Sequence, residues 1–181
     1  MRLVEGIAAV DDLDAFLRSL SRIGEETDCT VQAFDARYVV DRAHLDRARE
    51  LADRAIDRDE NVARDRGVEI MLYAAGRRQI DRALALGVSE GEGPVVVLVA
   101  ARGADGNGDE DGAEDGVDGR GGESAAASAV GELLAPADTL GDYDGALVRE
   151  YFDIGEAELA ATAGSLADVV HERVALLDVR K

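Results

Sequence analysis

Lysine is almost missing from this chain: Lys181 is the only one, so nearly all of its positive charge is arginine. Tryptophan is absent, and tyrosine and phenylalanine number only 4 and 3. With no internal lysine there can be no Walker-type phosphate loop, which needs a Lys inside its glycine run. Cys29 is the single cysteine, which excludes an intramolecular disulfide and any multi-thiol metal site. Long apolar runs are also lacking. The longest, Val95 to Ala101, is far short of the roughly 18 to 20 residues that span a bilayer. No basic region precedes an apolar one at the N-terminus, so a cytoplasmic chain with no membrane partner is expected.

What the chain has in excess is acid. Asp and Glu number 39 against 20 Lys and Arg, a formal net charge of -19. In near-molar salt the Debye length is roughly 3 Å, so like charges are screened while carboxylates keep the surface hydrated. The balance fits the cytoplasm of a halophilic archaeon. An apolar share of 46% over 181 residues fits one folded domain with a real core.

Pattern reading gives alternating elements. A strand over Arg2 to Val10 leads into a helix capped by Asp11 or Asp12, with Leu13, Phe16, Leu17, Leu20 and Ile23 at helical spacing and Gly24 as its stop. A second strand covers Cys29 to Asp35. Asp41 caps a longer helix with an apolar stripe from Leu45 to Ile56. Val68 to Ala74 has β character and passes through Gly76 into a helix ending at Gly87. Val95 to Val99 lacks alternation, as a central strand covered on both faces does. One or two helices follow between Gly145 and Glu172, then a last strand at Val174 to Val179. The expected architecture is mixed α/β (α+β): a single domain with a central mixed sheet of about five strands and helices packed on both faces. The stretch Arg102 to Ser128, rich in Gly, Asp, Glu, Ala and Ser, is expected to be a disordered acidic loop inserted in this domain.

The residues offer no catalytic constellation. His44 and His171 lie on amphipathic helices without a ligating or nucleophilic neighbour, and carboxylate pairs are uninformative in so acidic a chain. Asn107, Asp109, Asp111, Gly112 and Asp118 fall at calcium-loop positions, but position twelve is Asp, Glu114 intrudes, and neither flank looks helical. Accidental spacing in an Asp-Gly tract is the reading preferred to a calcium module. No enzyme activity, cofactor or metal is expected, with a carboxylate-based hydrolase or transferase as the opposing hypothesis.

Positive charge is unevenly placed. Between Arg37 and Arg82 lie 11 of the 19 arginines against 10 acids, so this window carries +1 and the remainder -20. Arg64 and Arg66 precede the expected strand, and Arg77, Arg78 and Gln79 open the helix after it, so both clusters are expected to flank one strand-helix corner. Such a corner could hold phosphate. Ion pairing with neighbouring Asp and Glu is the other reading of the same arginines.

The run NVARDRGVEIMLYAAGRRQIDRALALGV, Asn61 to Val88, with the VVVLV strand and the closing HERVALLDV, resembles the small Cgi-type subunit of the KEOPS complex, the PRPK-binding protein family. The resemblance implies a non-catalytic α/β subunit docked on an atypical protein kinase, in a complex that installs threonylcarbamoyl on tRNA adenosine. It also implies binding of the tRNA 3' CCA end, with other KEOPS subunits as indirect partners. An acidic scaffold that binds protein partners without touching RNA is the alternative. In salt, each neutralised phosphate lowers log K by about 0.7 per decade of salt, so stacking and planar Arg contacts must carry recognition. Tyr73, beside Arg77 and Arg78, is the candidate stacking ring, with a buried strand residue as the other reading. Leu166, Val169 and Val170 on the last helix are candidates for the kinase contact, with packing onto the chain's own sheet as the other reading.

Overall fold

The computed structural model describes residues 1–102 and 119–179. Its elements run β1 (Arg2–Val10), α1 (Leu13–Thr27), β2 (Cys29–Asp35), α2 (Arg42–Asp57), α3 (Arg66–Ala74), α4 (Ile80–Ala83) with a 3-10 turn at Leu84–Leu86, and β3 (Gly91–Ala101). Then come α5 (Gly119–Gly131), β4 (Ala135–Pro136), α6 (Gly145–Tyr151), α7 (Glu156–Ala161) and α8 (Leu166–Val179).

The fold is α+β, with a 4-stranded sheet in the order β2-β3-β1-β4 and helices on both faces. Among the described residues every pairing is antiparallel, so the sheet has four strands where about five were expected and is not mixed. β3 lies inside it, and its unbroken apolar run has the predicted cause. Val96, Leu98 and Ala100 enter the core under α2, α3 and α8, while Val95, Val97 and Val99 enter the opposite core under α1 and α5.

Two expected strands are helices, which removes the parallel pairings they were to supply. Val68 to Ala74 belongs to α3, whose N-terminus Asp65 caps by accepting from Val68 N–H at 2.9 Å. Seven of its nine residues are buried, and a short helix apolar nearly all round reads like a covered strand. Val174 to Val179 ends α8. Val170, Val174 and Leu177 are buried at helical spacing, a stripe that the string Val174 to Val179 taken alone does not show.

Asp12 and Asp41 cap α1 and α2 as expected, accepting from Ala15 and His44 N–H, each at 2.8 Å. Gly24 does not stop α1, which runs on to Thr27. It lets the helix cross β2 closely: a Cβ there would lie 2.7 Å from the Cys29 carbonyl oxygen. Gly119 to Ser128, expected within the disordered loop, is helical in α5, and Ala126 and Val130 are buried against the sheet. Small residues there bring the helix close. The rest of that loop, with Asn107, Asp109, Asp111, Gly112 and Asp118, lies outside the described residues.

Among the described residues no helix is long and apolar enough to cross a membrane, and no group of His, Cys, Asp and Glu could hold a metal ion.

Candidate functional site

The arginine clusters lie at opposite ends of α3, a helix of 9 residues and so about 13 Å long, and they share no corner.

At the N-terminal end Arg64 is exposed and makes no ion pair among the described residues. Arg66 does the opposite. It forks onto Asp53, with Nε at 2.7 Å and Nη2 at 3.0 Å, and its Nη1 donates to Thr30 Oγ1 at 3.1 Å and to the Ala101 carbonyl at 2.9 Å. Those bonds seam α2, α3 and the sheet together, so Arg66 is a structural clasp and not an open phosphate ligand. Tyr73 is only 2% exposed and packs in the main core. A ring there has no open face for a base, so the stacking role falls away.

At the C-terminal end the chain turns at Gly76, whose φ of 58° is left-handed. Gly76 N–H donates to the Tyr73 carbonyl and Arg77 N–H to the Leu72 carbonyl, at 2.9 and 3.1 Å, a glycine-dependent helix stop. The turn presents Arg77, Arg78, Gln79 and α4 in succession. Arg77 is half-buried: its guanidinium donates to the Tyr151 carbonyl, pairs with Asp153 at 3.2 Å, and stands 5.1 Å from the centre of the Tyr151 ring. Arg78 Nη2 donates to the Leu177 carbonyl at 3.2 Å, while its buried Nε has no partner among the described residues. Gln79 is exposed, and its side chain does not cap α4.

Pattern reading missed what surrounds these three. Ile80 and Leu84 are 43% and 55% exposed, one helical turn apart, with Arg82 exposed between them. Scattered exposed apolar residues are ordinary, but this pair adjoins three arginines and an uncapped amide. Tyr151, from α6, braces the corner: its hydroxyl donates to the Arg82 carbonyl at 2.9 Å, and burial, against the pull of Arg77, pushes its pKa up to about 12. Helical spacing predicts Ile80, Ala83 and Leu84 as the buried side of this helix, but of the three only Ala83 is buried.

The candidate kinase residues divide. Val169 and Val170 are 1% and 0% exposed, packed with Val40, Val148, Phe152 and Ile154. They bind α8 to the chain's own core and are not free for a partner. Leu166 is half-buried against the same cluster.

His44 is wholly buried. Its Nε2 contacts the Ala74 carbonyl at 2.8 Å, and desolvation, partly offset by that hydrogen bond, lowers its pKa to about 4. A neutral ring donating through Nε2 packs the start of α2 against the end of α3. His171 Nε2 meets Asp41 Oδ1 at 2.9 Å, tying α8 to the α2 cap.

The site so assembled is a surface with exposed apolar, amide and guanidinium groups, suited to holding a macromolecule. Comparison with curated proteins finds no match. The family model described as kinase binding protein CGI-121 matches residues 8–178, from the end of β1 to the last turn of α8. The chain belongs to the CGI-121 family of kinase binding proteins.

Proposed function

We propose that this protein is a non-catalytic adaptor which binds a kinase subunit of the KEOPS complex and holds the tRNA 3' CCA end at the corner between α3 and α4. The observation carrying the RNA part is the exposed group of Gln79, Ile80, Arg82 and Leu84 beside Arg77 and Arg78. Unpaired bases offer apolar faces that stack at roughly 1 to 3 kcal/mol each, a contribution that salt hardly weakens. Gln79 offers base-edge hydrogen bonds, and the exposed guanidinium of Arg82 adds planar contact. The arginine-rich window from Arg37 to Arg82 limits repulsion of phosphate on a chain of net charge -19.

The same apolar pair also favours the second reading, an acidic scaffold that meets only proteins. Charge reversal at Arg82 together with Ile80→Glu separates the two. On the RNA reading, affinity for tRNA and for a CCA-ended oligonucleotide falls at least about tenfold at matched salt, while kinase capture and circular dichroism stay unchanged. Loss of kinase capture with RNA affinity intact would establish the protein-only reading.

A further inference from the structure

On the other side of the molecule, β2 ends the sheet: among the described strands it pairs only with β3. The register tells which of its backbone groups are open. Arg102 N–H donates to the Asp28 carbonyl at 2.9 Å, one step before the Cys29–Ala101 pair. In an antiparallel ladder, residues alternate between bonding the neighbour and facing away. Thr30, Gln32 and Phe34 therefore bond β3, and Cys29, Val31 and Ala33 turn N–H and C=O to the free edge. The Ala33 carbonyl accepts from the side-chain amide of Gln32 at 3.1 Å. A side-chain amide thus occupies the place of an incoming strand's N–H.

This edge is recessed. It forms the floor of a groove of about 710 Å³, with Leu17 and Ser21 of α1 on one wall and Ile56 and Val68 of α2 and α3 on the other. Leu17 is 41% exposed. A recessed edge is out of reach of the edge of a second folded copy, whereas one extended segment can lie along it. Thr30 to Ala33 spans about 13 Å, room for four or five paired residues. Arg64 and Arg102 also line the groove and make no ion pair among the described residues, while Arg66 is held by Asp53. Glu25, Asp57 and Asp65 line it too, so with Asp53 the groove sets four acids against three arginines on a chain of net charge -19. A carboxylate is held there only directly against the Arg64 or Arg102 guanidinium.

We propose that this groove receives a short extended segment of a partner polypeptide, added as a strand to the edge of β2. The segment carries apolar side chains at alternate positions, facing Leu17 on the α1 wall, and a carboxylate within reach of Arg64 and Arg102. Backbone hydrogen bonding supplies the affinity and the alternation supplies the selectivity. The site is separate from the corner at α4, and its failure leaves the RNA reading untouched.

The test uses a seven-residue peptide of alternating valine and aspartate, capped at both ends. It is titrated into the isotope-labelled full chain in about 1 M salt, where the net charge is screened. The expected result is amide shifts centred on Val31 and Ala33, with hydrogen exchange of Val31 slowed about tenfold at saturation. Gln32→Ala, which frees the Ala33 carbonyl, tightens binding. Ser21→Trp, which fills the groove from an exposed position, abolishes it. Combined Arg64→Ala and Arg102→Ala weakens it about threefold to tenfold. Equal binding by the peptide N-methylated at alternate residues would overturn the proposal, because that peptide cannot join a sheet. Three further results would also overturn it: no shift at about 5 mM peptide, self-association of the chain through these amides, or their displacement by a CCA-ended oligonucleotide in place of the peptide.

Discussion

The Tyr151 hydroxyl donates to the carbonyl oxygen of Arg82 at 2.9 Å, joining α6 to α4 across a sequence separation of 69. The ring of the same tyrosine lies beneath the Arg77 guanidinium. One side chain therefore sets both the arginine and the short helix that follows it.

Tyr151→Phe keeps the ring and removes only the hydroxyl. Folding stability should fall by about 1 kcal/mol, the net worth of one hydrogen bond. A positioning role predicts more: weaker binding of a CCA-ended oligonucleotide, with slower exchange lost at the Arg82 and Ala83 amides. Denaturant melts and hydrogen exchange separate the two effects, and unchanged exchange in α4 would reduce Tyr151 to packing.

Arg66 was expected to touch RNA, yet its donors are engaged by Asp53, Thr30 and Ala101. Arg66→Ala should cost about 2 to 3 kcal/mol, since it leaves a half-buried carboxylate without its bidentate partner. Oligonucleotide affinity of the folded variant, measured at matched salt, should not move. A loss of affinity without loss of stability would return Arg66 to the binding surface.

Glu69 is 2% exposed and accepts from Val62 and Ala63 N–H at 3.0 and 2.7 Å. This carboxylate shapes the loop that carries Arg64. Glu69→Leu, which leaves two N–H groups without an acceptor, should destabilise by about 2 to 4 kcal/mol in urea unfolding. Glu69→Gln, keeping one acceptor oxygen, should cost less.

His44 makes stability depend on pH. Its folded pKa, about 4, lies below the ordinary 6.5, so the unfolded chain takes up a proton first. The stabilisation from burying the neutral ring is complete above about pH 6.5 and is lost as pH falls toward 4, by roughly 3 kcal/mol in all. Nitrogen NMR of the imidazole should show a neutral ring protonated at Nε2 at pH 6. A ring titrating near 6.5 in the folded protein would contradict the burial.

Much of the fold was legible locally. Asp12 and Asp41 announced two helix starts, and the unalternating Val95 to Val99 announced a strand covered on both faces, because capping and two-sided burial leave marks in adjacent residues. Val68 to Ala74 was misread because a short helix buried nearly all round shows no polar face to set its period, and Val174 to Val179 because so short a string holds too few turns to show one. In the candidate site, Arg64 and Arg66 lie at the opposite end of α3 from Arg77 and Arg78, and Tyr73 lies in the core.

Composition and local order by themselves determined an α+β chain of high negative charge, with its arginines gathered between Arg37 and Arg82 and a string specific enough to indicate its family. Tertiary structure alone decided which arginines remain open, since Asp53 clasps Arg66 from 13 residues away and Asp153 reaches Arg77 from 76. The physical reason is that a guanidinium's availability depends on which carboxylates and carbonyls the packed helices bring to it. Those neighbours are fixed by burial of the helices' apolar faces, not by proximity along the chain.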